Sequence, residues 1–273
     1  MPPAEIIPVG MSIRQVENRL IGVDRTLATL CELAQHPKGV ALEELAQRLG
    51  QPKSSVHRAL AALRRFALVQ QDEHRRYRLS LEFVGLAFQY YESLEEQALV
   101  QPTLEALAKR LSETAHYAVL DGADVIYVAK VTPANIGIQM AAKVGGRQPA
   151  HSTALGKALL AHTLRRPGEV ERFVAAHGPL REKTPRTLTT AEALERELAT
   201  TRERGYALDN QENESGVNCI AFPIFIGPRD RPAGAISVSA VAQRTPVEQL
   251  AKNADEVRGL IEERLGLVTS ARP

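Results

Sequence analysis

The 273-residue chain has no tryptophan and only six phenylalanines and six tyrosines, so aliphatic side chains have to fill its cores. Its two cysteines, Cys31 and Cys219, stand far apart, so we expect no disulfide and a reducing compartment. No apolar run approaches the roughly 18–20 residues of a membrane span, and the N-terminus lacks a basic-then-apolar signal pattern. We therefore expect a cytoplasmic protein that has no contact with a membrane.

The sequence also lacks the motifs of several enzyme classes. It contains no C-x-x-C, H-x-x-x-H, H-E-x-x-H or G-x-S-x-G pattern. A phosphate-binding loop around Gly156 and Lys157 fails twice, because His151 stands where glycine is required and Ala158 where a hydroxyl is required. We therefore expect no metal, no cofactor, no nucleoside triphosphatase and no enzyme activity.

Positive charge is scarce overall but concentrated in one stretch. The net charge is only +2, yet residues 51–80 contain seven Lys or Arg against two acidic residues. This window therefore carries +5, and the rest of the chain carries −3. Such asymmetry indicates an interaction with a polyanion more strongly than the total charge does.

The N-terminal third contains three short helical patterns followed by a basic hairpin. "VDRTLATLCELAQHP" and "ALEELAQRLG" predict the first two helices, and "PKSSVHRALAALRRF" the third. On a helical wheel of the third, Val56, Ala59, Leu60 and Leu63 share one side. "ALVQQDEHRRYRLS" then reads as strand, turn and strand. This order is typical of a winged helix-turn-helix.

The face of the third helix away from its leucines is small, polar and basic, which suits duplex DNA. Helix N-termini favour phosphate, arginine can pair with a guanine edge, and hairpin arginines can reach phosphate or the minor groove. A solvated basic surface and a protein-docking module remain alternatives. The predicted DNA contacts are Lys53, Ser54, Ser55, His57, Arg58, Arg65, Arg75 and Arg76.

The rest of the chain predicts a linker helix and a second domain. The apolar positions 81, 84, 87/88, 91 and 94 form a helical stripe, and Pro102 suggests a break or a new helix start. Beyond it, strands and helices mix without a regular βαβ rhythm, which favours an α+β fold with a largely antiparallel sheet. We expect a disordered tail (1–19), a winged helix-turn-helix (20–80), a linker helix (81–97) and a C-terminal domain (98–267).

Several polar residues of the C-terminal part predict a small-molecule pocket. "AISVSA" places Ser237 and Ser239 on one strand face, and "VNCIAFPIF" separates Cys219 from Ile220. Asp209 ends "GYALD", and a helix from about Thr153 offers free N–H groups to an anion or carbonyl. A core cysteine, a cap aspartate and solvent-facing serines are the alternatives.

Together these motifs resemble the IclR-type (isocitrate lyase regulator type) transcriptional regulators from about residue 20 to residue 267. The most specific pieces are "PKSSVHRALAAL", the wing ending in "YRLS", "VGGRQPAHSTALGKALLA" and "RGYALDNQENESGVNCIAFPIF…AGAISVSA". The resemblance implies a homodimer, often paired into a homotetramer, and a GAF-like effector domain for a small organic acid or aromatic metabolite. The effector residues it implies are Thr153, Ala154, Asp209, Cys219, Ser237 and Ser239.

The sequence departs from the family pattern just before the "ALGKA" helix. Gln148 and Ala150 replace apolar residues that are common there, and Ser152 stands where relatives have Cys or Ser. These positions can line the pocket mouth, so the effector of a relative does not transfer to this chain.

The resulting prediction is a transcriptional regulator that binds a palindromic operator in double-stranded DNA and responds to a small metabolite. Effector binding would shift the linker helices and change the spacing of the DNA-binding domains. The alternative is a small-molecule enzyme that uses Cys219 as nucleophile and carries an accessory winged helix. It requires a base near Cys219, and the sequence indicates none.

Overall fold

The computed structural model describes residues 22–92, 95–133, 142–226 and 231–266. The chain divides into two compact units, residues 1–94 and residues 95–273. The predicted disordered tail 1–19 lies outside the described residues, as does residue 267 at the end of the predicted C-terminal domain. Within the described ranges, no helix has both the length and the apolar character needed to cross a membrane.

The N-terminal unit has the predicted three helices and hairpin. A small core that includes Leu33, Leu45, Leu60 and Tyr77 holds them together. One strand was not predicted: β1 (Val40–Ala41) pairs antiparallel with β3 (Arg76–Leu79), which also pairs with β2 (Val69–Gln71), so the hairpin is part of a three-stranded sheet in the order β1-β3-β2. The elements are α1 (Gly22–Ala34), β1 (Val40–Ala41), α2 (Leu42–Arg48), α3 (Lys53–Arg65), β2 (Val69–Gln71), β3 (Arg76–Leu79) and α4 (Leu81–Glu92).

The predicted break at Pro102 is wrong, because helix α5 (Glu95–Leu111) runs through that residue. A proline inside a helix costs about 3 kcal/mol or more through a lost hydrogen bond and a clash. Here Val100, Leu104 and Leu107 are fully buried in the core of the C-terminal unit. Burying three such side chains outweighs the cost of the proline.

The C-terminal unit is built on one six-stranded antiparallel sheet in the order β6-β5-β4-β9-β8-β7. One face packs against α5 and α10, and the other against α6 and α8, so each face has its own apolar core. The elements after α5 are β4 (Thr114–Asp121), β5 (Asp124–Val131), β6 (Arg147–Pro149), α6 (Ala154–Thr163), α7 (Glu169–His177), α8 (Ala191–Arg204), β7 (Ala207–Asn210), β8 (Val217–Ile224), β9 (Gly234–Val241), α9 (Val247–Lys252) and α10 (Ala254–Leu265).

Two further details differ from the sequence prediction. The stretch from Gly145 to the helix start at Thr153 predicts only a loop, but it contains strand β6. The pattern "PVEQLAKNADEVRGLIEERLG" predicts one closing helix, but the segment forms two helices, because α9 ends at Lys252 and α10 begins at Ala254. The pairing of β6 with the edge strand β5 is a contact between separate segments, which a local pattern does not encode.

Candidate DNA-binding face and effector cavity

Helix α3 packs with one side and exposes the other, as its wheel predicts. Val56, Ala59, Leu60 and Leu63 are all at most 4% exposed. They contact α1 and α2 through the shared core, which fixes α3 as the second helix of a helix-turn-helix. The packed side therefore fixes the orientation of α3 and leaves the opposite side exposed.

Five of the six α3 residues predicted to contact DNA lie on the exposed side, namely Lys53, Ser54, His57, Arg58 and Arg65. Lys53 Nζ lies 2.5 Å from Glu43 Oε1 in an exposed ion pair. Exposed ion pairs of this kind are screened by solvent and stabilise little, so a phosphate can compete for the ammonium group.

Ser55 does not belong to this exposed set. It is only 8% exposed, and its N–H donates to Pro52 O at 2.9 Å in the first turn of α3. Position 55 follows Ser54 by about 100°, which turns it toward the packed side. The structure therefore does not support the predicted contact of Ser55 with DNA.

The two arginines of the wing turn have different surroundings. Arg75 is exposed at the tip, in the left-handed region with φ 58°. The guanidinium of Arg76 donates from Nε and Nη2 to Gly39 O, at 3.1 and 2.7 Å. Arg76 therefore fastens β3 to the turn before β1. This role could not be anticipated from the sequence, because β1 was not predicted. The residue is still exposed, and its contact with DNA stays a prediction.

In the C-terminal unit, all six residues that the family resemblance implied line one narrow cavity of about 30 Å³. The cavity lies between one face of the sheet and the start of α6. The described residues around it are His116, Tyr127, Ala142, Gln148, Thr153, Ala154, Leu155, Asp209, Asn213, Glu214, Val217, Cys219, Ser237 and Ser239. The contribution of each to ligand binding remains a prediction.

Strand register brings the polar residues together. Asp209 on β7 pairs with Cys219 on β8, and Cys219 pairs with Ser239 on β9, so these three form a polar line across three strands. Two residues before Ser239 on β9, Ser237 pairs with His116 on β4. Ser237 and Ser239 are 1% and 5% exposed. They are therefore buried cavity residues, and the solvent-facing alternative for the serines is wrong.

The start of α6 forms another wall of the cavity. Thr153 is the N-cap, and its Oγ1 accepts from Gly156 N at 3.0 Å. The N–H groups of Ala154 and Leu155 have no acceptor within the helix and suit an anion or carbonyl. Position 156 has no room for a side chain, because a Cβ there would lie 2.2 Å from Ala150 Cα and O, so it has to be glycine. Ala150 thus packs behind α6 and does not line the cavity, whereas Gln148 does.

Asp209 lines the cavity and also caps backbone N–H groups of the following loop, so it has both of the roles that the sequence suggested for it. Its Oδ1 accepts from Glu212 N at 2.7 Å and from Asn213 N at 3.4 Å. Glu212 in turn pairs with the fully buried Lys157 of α6, with Nζ 2.5 Å from Oε1. This buried ion pair, separated by 55 residues in the chain, fixes the loop after β7 against α6 and was missed by the sequence analysis.

Burial changes the protonation of the cavity. It raises the pKa of Asp209 to about 7, although Lys157 opposes the shift. Burial also raises the pKa of the Cys219 thiol well above its usual value, with a further contribution from Asp209. Near neutral pH the cavity therefore contains a thiol and a carboxyl group that is protonated in about half of the molecules.

His116 and Tyr127 are the main cavity residues that sequence reasoning missed. Their rings meet edge to face with centroids 5.3 Å apart. The register of β4 with β5 shifts between Tyr117 and Ala118, so that Tyr127 pairs with Ala118 while Lys130 pairs with His116. This bulge turns Tyr127 to the cavity face. The alternation of "AHYAVL" was the only signal for His116. Among the described residues, no group of three His, Cys, Asp or Glu is arranged to hold a metal.

Comparisons with known proteins agree with both units. The family model "IclR helix-turn-helix domain" matches residues 22–73, and "Bacterial transcriptional regulator IclR C-terminal" matches residues 88–262. The HTH-type transcriptional regulator XynR of Escherichia coli (strain K12) is 31% identical over 238 residues, which cover 86% of this chain and 92% of XynR.

Solved structures share the same architecture. The IclR of Thermotoga maritima has a TM-score of 0.70 and 28% identity, over 90% of this chain and 98% of that chain. An IclR homolog from Microbacterium hydrocarbonoxydans, complexed with 4-hydroxybenzoate, has a TM-score of 0.73 and 24% identity, over 88% of this chain and 99% of that chain. At that identity the second likeness concerns the fold alone.

Proposed function

This chain belongs to the IclR family of bacterial transcriptional regulators, DNA-binding proteins with a ligand-binding C-terminal domain, and from this premise we propose which surfaces it uses. Helix α3 and the wing contact a palindromic operator, and a small organic acid in the C-terminal cavity changes the affinity for that operator. The observation that carries the proposal is the convergence of the polar line and the α6 N-terminus on one cavity.

On the DNA side, the exposed residues divide into two roles. Arg58 lies mid-way along the exposed face of α3, where an arginine can pair with the two acceptors of a guanine edge. Lys53 at the helix start and Arg75 at the wing tip suit phosphate contacts, which position the protein without reading sequence.

The lining of the cavity indicates the chemistry of the effector. None of the described lining residues is Lys or Arg, so a carboxylate there has no direct cationic partner. It would instead accept from the N–H groups of Ala154 and Leu155 and from hydroxyl groups. Asp209 repels an anion when ionised but donates a hydrogen bond when protonated, which its pKa of about 7 permits. A small hydroxylated aliphatic or aromatic acid fits this set.

The protein acts as a homodimer, and pairs of dimers form a homotetramer. In support, α4 exposes Leu81, Leu86 and Phe88 at 83%, 50% and 58%. Exposed apolar side chains of this size on one helix are typical of an interaction surface. A symmetric dimer places two α3 helices on half-sites about one DNA turn, or a multiple of it, apart. Light scattering on purified protein should give twice or four times the 29.9 kDa chain mass.

The enzyme alternative with Cys219 is disfavoured. The structure does supply a potential base: Cys219 Sγ lies 3.2 Å from Ser239 Oγ, which lies 3.4 Å from His116 Nδ1. Burial, however, raises the pKa of the thiol above 9.0 and lowers the pKa of His116 to about 3. Both shifts oppose transfer of the proton from sulfur to imidazole. We therefore propose a binding role for Cys219 and no enzyme activity.

A DNA-binding titration tests the proposal. Fluorescence anisotropy with duplex fragments from the chain's own promoter region should show salt-dependent, sequence-selective binding. An acid panel of acetate, glycolate, pyruvate, gluconate, benzoate and 4-hydroxybenzoate is then added at several concentrations. At least one acid should change the operator affinity, and DNA should change the affinity for that acid by the same factor. No DNA binding at low salt would refute the DNA-binding role.

A variant of the polar line separates the two functions. Ser239→Ala should weaken binding of the active acid while leaving the acid-free affinity for operator unchanged. Ser54→Ala, on the exposed face of α3, is the reciprocal control, because it should leave acid binding unchanged. If Ser239→Ala binds the acid like the wild type, Ser239 is not part of the site.

A further inference from the structure

His116 has one ring nitrogen that the protein does not satisfy. The residue is 2% exposed and lines the cavity from β4. Its Nε2 is a buried polar atom without a hydrogen-bond partner among the described residues. Buried polar atoms are rarely left unpaired, because desolvation without a hydrogen bond costs about 1–3 kcal/mol. The cavity next to the ring is the place from which a partner can come.

The other nitrogen belongs to a short hydrogen-bond chain. The Cys219 thiol donates to Ser239 Oγ at 3.2 Å, and Ser239 Oγ lies 3.4 Å from His116 Nδ1. Since Ser239 already accepts from the thiol, its single hydroxyl proton is available for Nδ1. A neutral imidazole that accepts at Nδ1 carries its proton at Nε2. With Ser239 donating to Nδ1, the proton of the imidazole lies on Nε2, which is then the donor.

The ring is also fixed in place and uncharged. It meets the ring of Tyr127 in an edge-to-face contact with centroids 5.3 Å apart, at an interplanar angle of 71°. Burial, with a further contribution from Lys130, lowers the pKa of His116 to about 3, so the imidazole is neutral at any physiological pH. A neutral, rigid N–H group selects a hydrogen-bond acceptor by position and not by charge.

We propose that His116 is a specificity-determining residue of the effector cavity, whose Nε2–H donates to a hydroxyl or carbonyl oxygen of the bound acid. This inference rests on the proposed function. The carboxylate of the acid binds at the N-terminus of α6, so His116 donates to a second oxygen of the same acid, outside its carboxylate. The effector class is accordingly a hydroxy or oxo acid, and acids without a second oxygen bind less tightly.

Matched pairs of acids test this role. Calorimetry compares glycolate with acetate and 4-hydroxybenzoate with benzoate, for the wild type, His116→Phe and His116→Gln. Phenylalanine keeps a ring against Tyr127 and removes the donor, whereas glutamine retains an N–H donor. The wild type should prefer the hydroxylated member of at least one pair. His116→Phe should lose about tenfold in affinity for that acid and little for its partner, and His116→Gln should recover part of the preference.

The outcomes separate this inference from the proposed function. If the wild type binds no acid of the panel, the proposed effector class is refuted, and the proposed role of His116 is refuted with it. If the wild type prefers a hydroxylated acid and His116→Phe keeps that preference, only the inference is overturned, and Nε2 is satisfied by water. If His116→Phe does not fold, nitrogen-15 NMR of the wild type decides: a proton on Nε2 supports the inference, and a proton on Nδ1 overturns it.

Discussion

Replacing Asp209 with asparagine should remove a pH dependence of stability from the C-terminal unit. The aspartate is 3% exposed, and burial raises its pKa from 3.8 to about 7. The ionisable groups that influence it are Lys157 of α6 and Glu212 of the following loop, with Cys219 as its neighbour on β8. Asparagine keeps an oxygen for the N–H of Glu212 but cannot ionise.

The sign and size of the effect follow from proton linkage. The folded carboxyl binds a proton more tightly than the unfolded one, so the free energy of unfolding falls as the pH rises from 3.8 toward 7 and levels off above it. Between pH 6 and pH 8 the unfolded carboxyl stays ionised, while the folded one goes from about nine-tenths to about one-tenth protonated. The wild type therefore loses about 1.4 kcal/mol across this range.

Urea unfolding followed by circular dichroism, with hydrogen exchange of the β7–β9 peptides to isolate the C-terminal unit, measures this loss. Relative to the wild type, Asp209→Asn should gain about 1.4 kcal/mol between pH 6 and pH 8. The matched control is Asp255→Asn, an exposed aspartate of α10. Its effect should be equal at both pH values. If Asp209→Asn changes stability equally at pH 6 and pH 8, Asp209 does not titrate in this range and the description of the cavity is wrong.

Other predictions concern the DNA-binding face and the glycines. Arg58→Ala should reduce the preference for operator over unrelated DNA by about 1–3 kcal/mol in competition anisotropy, and an unchanged preference would place the reading face elsewhere. Arg75→Ala should weaken binding to all DNA sequences and reduce the slope of the logarithm of the binding constant against the logarithm of the salt concentration by about one. Arg76→Ala should lower the unfolding temperature, because its guanidinium donates to Gly39 O. Gly156→Ala should destabilise by at least about 1–3 kcal/mol because its Cβ meets backbone, whereas Gly259→Ala, with open space in α10, should stabilise by about 0.5–1 kcal/mol. Equal effects of the two glycine substitutions would refute the close packing of α6.

The parts of the site that the sequence predicted well depend on local periodicity. The 3.6-residue period of α3 is enough to separate Leu60 and Leu63 from Arg58. The two-residue period of β9 placed Ser237 and Ser239 together, and the threonine before "ALGKA" predicted the helix cap. Each of these signals needs only neighbouring residues and the geometry of one element. Ser55 marks the limit of such reasoning, because it lies where the exposed and packed sides of α3 meet.

The parts that were missed depend on register or on contacts between distant segments. Arg76 has a structural partner because β1 pairs with β3. His116 faces the cavity with Tyr127 because of a bulge between β4 and β5, and Lys157 meets Glu212 across 55 residues. None of these can be read from spacing, since a single-residue change in register moves a side chain to the other face of a sheet.

The periodicity of the amino-acid sequence therefore determined the two-domain α+β architecture, the basic face of α3 and the shared face of Ser237 and Ser239, and the family resemblance supplied the full set of six cavity residues. Tertiary structure decided that Arg76 of the wing binds Gly39 O, how the buried carboxyl of Asp209 is protonated, and that a neutral histidine lines the cavity. The reason is physical: helix and strand periodicity are properties of neighbouring residues, whereas burial, desolvation and strand register exist only once distant segments have packed together.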